Sequence, residues 1–169
     1  MLNNLKVRRD REDGFTLIEL MVVVLIIAIL IAIAIPTFLG ARNRAQDRAA
    51  QSSLRNALTA AKTAYTDNSD YSKSTNTDLG AIEPSLTYNA AGTASTGFKN
   101  VSVAVSNVTG TDHQIWAAAS LSKSGTCFYL MDTATGSSAG TLYGSDTTAN
   151  AATNCTGTKA LTVATAASC

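Results

Sequence analysis

One uninterrupted apolar stretch dominates the first quarter of the chain: from Phe15 to Leu39 the only ionisable side chain is Glu19. Coiled as a helix, this run is long enough to cross a hydrocarbon core of about 30 Å. Beyond it the pattern changes without a turn signal. Ala50, Leu54, Ala57, Leu58, Ala61 and Tyr65 recur at three- and four-residue spacings, while Arg44, Asp47, Arg48, Gln51, Arg55 and Lys62 occupy the opposite face. The pattern therefore predicts one long helix from about Phe15 to Thr66, whose second half lays an apolar stripe on the rest of the domain. Pro36 lies inside it and removes one backbone donor, which predicts a bend or local loosening near residues 32 to 36. The alternative is a proline that merely ends the apolar helix.

Asp67-Asn68-Ser69-Asp70 is a cluster of turn formers that closes this helix. From Tyr71 to Lys99 there is no sustained period, Glu83-Pro84 is a breaker, and Gly92 and Gly97 add freedom, so an irregular connection is expected. Strand signals follow. Val101 to Val105 alternates, Ile115 to Leu121 is apolar after the Gly110-Thr111-Asp112 turn, and Thr126 to Met131 follows the turn Ser122-Lys123-Ser124-Gly125. Thr141-Leu142-Tyr143 and Leu161-Thr162-Val163 are weaker candidates. Three or four antiparallel strands packed on the Leu54 and Leu58 face make an α+β domain. No internal repeat is evident.

Length and composition add one exported domain on an anchor. The chain has 169 residues and a formal net charge of +1, and outside the apolar run it is rich in Ala, Thr, Ser, Gly and Asn. The first 14 residues carry Lys6, Arg8, Arg9 and Arg11 against Asp10, Glu12 and Asp13; without them the side-chain charges cancel. Lys and Arg set orientation while acids contribute little, so the N-terminus is expected in the cytoplasm and everything after the apolar run outside. A cleaved secretory signal fits poorly, because its apolar part would be about 7 to 15 residues followed by a small-x-small site. Here the run is longer and leads into Pro36 and a basic helix. The balance of charge gives no large footprint for nucleic acid.

Glu19 is the residue that asks for explanation, since a charged acid within a membrane helix costs roughly 2.5 to 3.5 kcal/mol on insertion scales. Together with its neighbours it completes Gly14-Phe15-Thr16-Leu17-Ile18-Glu19, followed by the apolar run from Leu20 to Ile35. Here the chain resembles the type IV prepilins, convincingly over about residues 6 to 66. The resemblance implies a pilin-like fold, with a leader over 1–14, a transmembrane and fibre-core helix over 15–39 and an exported head over 40–169. It implies cleavage between Gly14 and Phe15 by a prepilin peptidase, N-methylation of Phe15, and pairing of Glu19 with the N-terminal amine of a neighbouring subunit. It further implies self-association into an extracellular fibre, with an assembly ATPase and an inner-membrane platform protein as partners and membrane lipid as the medium before assembly. Adhesion, motility or DNA uptake would be the fibre's task, although DNA gains no support from charge; the Arg44, Arg48 and Arg55 face fits a solvated helix face better.

Cys127, Cys155 and Cys169 all lie in the part expected outside, where oxidation is permitted. Three cysteines allow one intramolecular bond with one left over. Cys127 with Cys155 and Cys155 with Cys169 are the candidates. The first is preferred because it pins a loose C-terminal segment to a core strand, leaving Cys169 over. No catalytic set can be nominated: His113 is the only histidine and sits beside Asp112 in a turn, and the cysteines lack metal-ligand spacing. No metal or cofactor is expected. Three glycosylation-like tripeptides, at Asn100, Asn107 and Asn154, are short enough to occur by chance. A structural subunit is therefore the leading reading, ahead of a minor pilin or a secretion-system pseudopilin, and ahead of a binding or adhesin domain on an uncleaved signal anchor.

Overall fold

The computed structural model describes residues 14–106, 113–148 and 150–163. Residues 1–13 of the expected leader, the expected Gly110-Thr111-Asp112 turn, the Asn107 tripeptide and Cys169 lie outside the described residues. The chain divides into two compact units, Met1–Gly40 and Ala41–Cys169. Helix α1 (Leu17–Asn68) contributes its first part to one and its second part to the other. It starts and ends two residues later than the periodicity suggests. At its end Ser69 turns left-handed, with φ 60°, and the Asn68 side chain donates to the Ala64 carbonyl at 2.8 Å. Both are ways of closing a helix whose last carbonyls have no backbone partner.

In the second unit, α1 is followed by α2 (Asn76–Ile82), β1 (Thr87–Asn89), β2 (Asn100–Val105), β3 (Ile115–Leu121), β4 (Cys127–Thr133), β5 (Gly140–Asp146), α3 (Ala151–Asn154) and α4 (Gly157–Val163). The strands form a single sheet in that order. β1 runs parallel to β2, and every other pair is antiparallel. The sheet thus has five strands instead of three or four, and the stretch from Tyr71 to Lys99 contains a helix and a strand.

Alternation along β2, β3 and β4 sends residues to two cores. Val103, Ala118 and Leu130 align across the three strands and meet Ala50, Leu54, Ala57 and Ala61 of α1 together with Trp116 and Phe128. Their neighbours Ala117, Ala119, Cys127 and Tyr129 face the other way, onto Ala151, Cys155 and Ala160. The sheet is therefore the middle layer of the head, with α1 on one face and the two short helices on the other.

Leu161-Thr162-Val163 is helical, which corrects the weak strand expected there. Two β-branched residues in three imitate a strand. The longer spacing of Gly157, Ala160 and Leu161 is helical and places the two buried positions, Gly157 and Ala160, on one side. A Cβ on Gly157 would stand 2.5 Å from the Val103 carbonyl carbon, and the Gly157 N–H donates to Ser102 Oγ at 2.9 Å. Close approach of α4 to β2 thus requires a glycine there. Just before it, Cys155 is joined by a disulfide to Cys127 at the head of β4, with 5.5 Å between the Cα atoms and 28 residues of separation. Chain entropy gives such a loop about 3.5 kcal/mol of stabilisation.

Candidate functional site

Every residue from Gly14 to Ala45 is exposed. Phe15 is 88 % exposed, and the large aliphatic side chains from Leu17 to Leu39 are all open to solvent. Burying one such side chain is worth roughly 1.5 to 3 kcal/mol. A helix that leaves so many uncovered requires another apolar phase, either lipid or other helices. Its 23 residues from Leu17 to Leu39 span about 35 Å at 1.5 Å per residue, enough for a bilayer core.

Glu19 closes the start of this helix. Thr16 is the capping residue: its hydroxyl accepts the Glu19 N–H at 3.3 Å. In return Glu19 Oε2 accepts the Thr16 N–H at 3.0 Å and the Thr16 hydroxyl at 2.7 Å. This reciprocal arrangement is a capping box, in which each residue's side-chain oxygen accepts the other's orphan N–H. A carboxylate there also meets the positive end of the helix dipole. The Thr-x-x-Glu spacing was available in the sequence and carries this role directly. Only Oε2 is engaged; Oε1 has no hydrogen-bond partner among the described residues. All the capping groups lie on the C-terminal side of the Gly14–Phe15 bond, so the cap does not depend on residues 1–14.

Farther along, α1 continues as a helix past Pro36. The missing N–H leaves the Ala32 carbonyl without its usual donor, and one residue on, the Thr37 hydroxyl donates to the Ile33 carbonyl at 3.0 Å. Arg44, Arg48 and Arg55 are exposed, and the single ion pair among the described residues is elsewhere. Asp47 is half-buried and accepts a hydrogen bond from the Ser124 hydroxyl in the β3–β4 turn.

Among the described residues the head has one buried charge. Asp132 on β4 is 3 % exposed; its Oδ2 accepts the Tyr71 hydroxyl at 2.5 Å and its Oδ1 the Thr141 hydroxyl at 2.5 Å. Lys62 of α1 reaches Oδ1 at 3.1 Å but is half exposed. Burial and the Asp132 carboxylate together push the Tyr71 hydroxyl well above the ordinary phenol range. An open cleft of about 510 Å³ lies over this group. Its polar floor is already satisfied by the bonds just described, so the group reads as a clamp between helix, loop and sheet. His113 adopts φ 56° and accepts the Tyr71 N–H through its carbonyl at 2.7 Å. Among the described residues no three His, Cys, Asp or Glu side chains gather to hold a metal.

Of the residues singled out in the sequence, Phe15 and Glu19 stand at the open start of α1, Pro36 stands within it, and Cys127 and Cys155 meet behind the sheet. The model of the prokaryotic N-terminal methylation motif, the type IV pilin and prepilin signature, matches residues 9–35. No curated protein matches significantly, and no solved structure does either. The chain thus carries the precursor signature of the type IV pilin-like and pseudopilin proteins, on a long apolar helix followed by a pilin-like α+β head. That signature implies a structural protein and fits a membrane-anchored precursor.

Proposed function

We propose that this chain is the structural subunit of a type IV pilus. It is held in the membrane by α1, cut between Gly14 and Phe15, methylated on the Phe15 amine and polymerised into an extracellular fibre. The observation that carries this reading is the wholly uncovered apolar half of α1, headed by a glycine, a capped start and a single carboxylate. Lipid covers that surface in the precursor, and the same surface of other subunits covers it in the fibre. Pro36 bends or loosens the helix where the apolar run nears its end.

Glu19 then has a second task beyond capping. Its free Oε1 accepts the new amine of Phe15 from a neighbour, and the pairing acts as a register. In an apolar fibre core an acid left without its partner is heavily penalised, so subunits out of register are rejected. Peptidase, assembly ATPase and platform protein supply the cutting, force and template, and adhesion, motility or DNA uptake is what the fibre does. The test is the intact mass and N-terminal sequence of the chain in material sheared from cell surfaces. A start at N-methylated Phe15 supports processing and export together. Recovery only from membranes, beginning at Met1, refutes the fibre reading in favour of an anchored domain.

A further inference from the structure

Charge in the head is divided along the chain. From Ala41 to Thr66 the ionisable side chains are Arg42, Arg44, Arg48, Arg55 and Lys62 against Asp47 alone. From Asp67 to Glu83 they are Asp67, Asp70, Asp78 and Glu83 against Lys73 alone. The rest of the mature head is balanced. Within α1, Arg44, Arg48 and Arg55 fall on one side at spacings of four and seven, a stripe about 16 Å long. That side points away from the buried line of Ala50, Leu54, Ala57 and Ala61. The single ion pair among the described residues joins Lys62 to Asp132 and leaves the three arginines out, and Asp47 hydrogen-bonds Ser124.

The acidic stretch is equally without a cation of its own chain within ion-pair distance among the described residues. Asp70 caps the Ser72 N–H and feels His113 only weakly; Asp78 accepts from Thr75 and Glu83 from Ser85. Asp67 is exposed.

We propose that these two surfaces are the two halves of one contact, the Arg44–Arg48–Arg55 stripe of one subunit docking on the Asp67–Glu83 segment of a second copy. Two different patches meeting head to tail form a heterologous interface, which yields an open filament wherever the rotation between copies does not close a ring. A two-fold dimer pairs the same patches twice over but closes at two copies and builds no filament. The inference rests on the fibre reading above and adds to it which faces of the heads pair. Complementary charge of this kind sets register and excludes wrong partners more than it adds affinity, and it weakens with salt.

The test uses the full chain expressed in its own host. Arg44→Glu with Arg48→Glu is expected to lower the yield of sheared fibres about tenfold or more, because attraction becomes repulsion at two positions. Adding Asp78→Lys and Glu83→Lys to the same chain reverses both halves and is expected to restore fibres to within about threefold of the parent. An intact Cys127–Cys155 bond and a Phe15 start, read by mass, show that each variant folds and is processed. Parent-level fibres from the arginine variant overturn the contact and leave the fibre reading standing; so does loss of fibres that the acid reversals fail to restore. Absence of fibres from the parent chain itself is the separate failure of the fibre reading.

Discussion

The Asp132 clamp lends itself to a quantitative test. Tyr71 is 1 % exposed and gives its only hydroxyl proton to Asp132 Oδ2 at 2.5 Å. A hydrogen bond to a charged group is worth about 1.5 to 3 kcal/mol, and a buried donor left without a partner costs about 1 to 3 kcal/mol. Thr141 is half-buried and reaches water if its acceptor goes. Lys62 is half exposed, so its ion pair contributes about 0 to 1 kcal/mol after solvent screening. Asp132→Ala is therefore expected to cost about 2 to 4 kcal/mol and Tyr71→Phe about 1.5 to 3 kcal/mol, while Lys62→Ala costs less than about 1 kcal/mol. The decisive quantity is the double variant: if the Tyr71–Asp132 bond is the source, it costs little more than Asp132→Ala, giving a coupling of about 1.5 to 3 kcal/mol. Urea titration of the detergent-solubilised chain reads this through Trp116, the sole tryptophan, which is fully buried and donates to the Ser74 carbonyl at 3.1 Å. Costs that simply add would remove the bond from the account and leave the clamp as packing alone.

Other outcomes follow from single contacts. Gly157→Ala forces a Cβ against the β2 backbone and is expected to destabilise the head by about 1 to 3 kcal/mol in the same titration; an unchanged midpoint contradicts the close approach of α4. Alkali is expected to unfold the head, because burial raises the Tyr71 hydroxyl and pushes Tyr88 up to about 12. Groups whose folded pKa is raised bind protons in the folded state that the unfolded chain releases, so stability is full below about pH 10 and falls as pH rises above it, by up to about 1.4 kcal/mol per pH unit per tyrosine. A flat profile between pH 10 and 12 refutes that assignment. For the assembly segment, Glu19→Gln keeps a capping side chain but not the charge, whereas Glu19→Ala loses both. Both variants are expected to be processed and to enter the membrane but not fibres; normal filaments from Glu19→Gln would sink the charge-pairing role.

The long helix and the strands β2, β3 and β4 were legible because each runs for several repeats of its own period, 3.6 or 2, with one face apolar. What escaped notice was short or non-local. The seven residues of α2 and the three of β1 complete too few repeats to register, and β1 is held by parallel pairing with β2 and by side chains such as Asn89, whose amide donates to Asn100 at 2.8 Å. Strand β5 reads Gly-Thr-Leu-Tyr-Gly-Ser-Asp, a composition that suggests a loop beyond its central three residues. All seven of its residues pair in register with β4: the neighbour, not the propensity, makes it a strand. Asp132 gave no sign of burial because Tyr71 lies 61 residues away and Lys62 comes from a different element.

At the start of α1 the sequence was informative in a different way. Read by hydropathy, Glu19 is an intruder that demands a partner from outside. Read by local chemistry, Thr16-x-x-Glu19 is a helix start whose partner is already in the chain. The two readings are compatible because a carboxylate has two oxygens and the cap uses one. A glutamine would cap as well, through one carbonyl oxygen, so capping alone does not account for a charged residue at the edge of an apolar phase, where an amide would be cheaper to desolvate. The surplus cost of the charge is what the proposed amine of a neighbouring Phe15 offsets. Capping also holds the acid in one orientation before any neighbour arrives, so its free oxygen is fixed relative to the helix it heads.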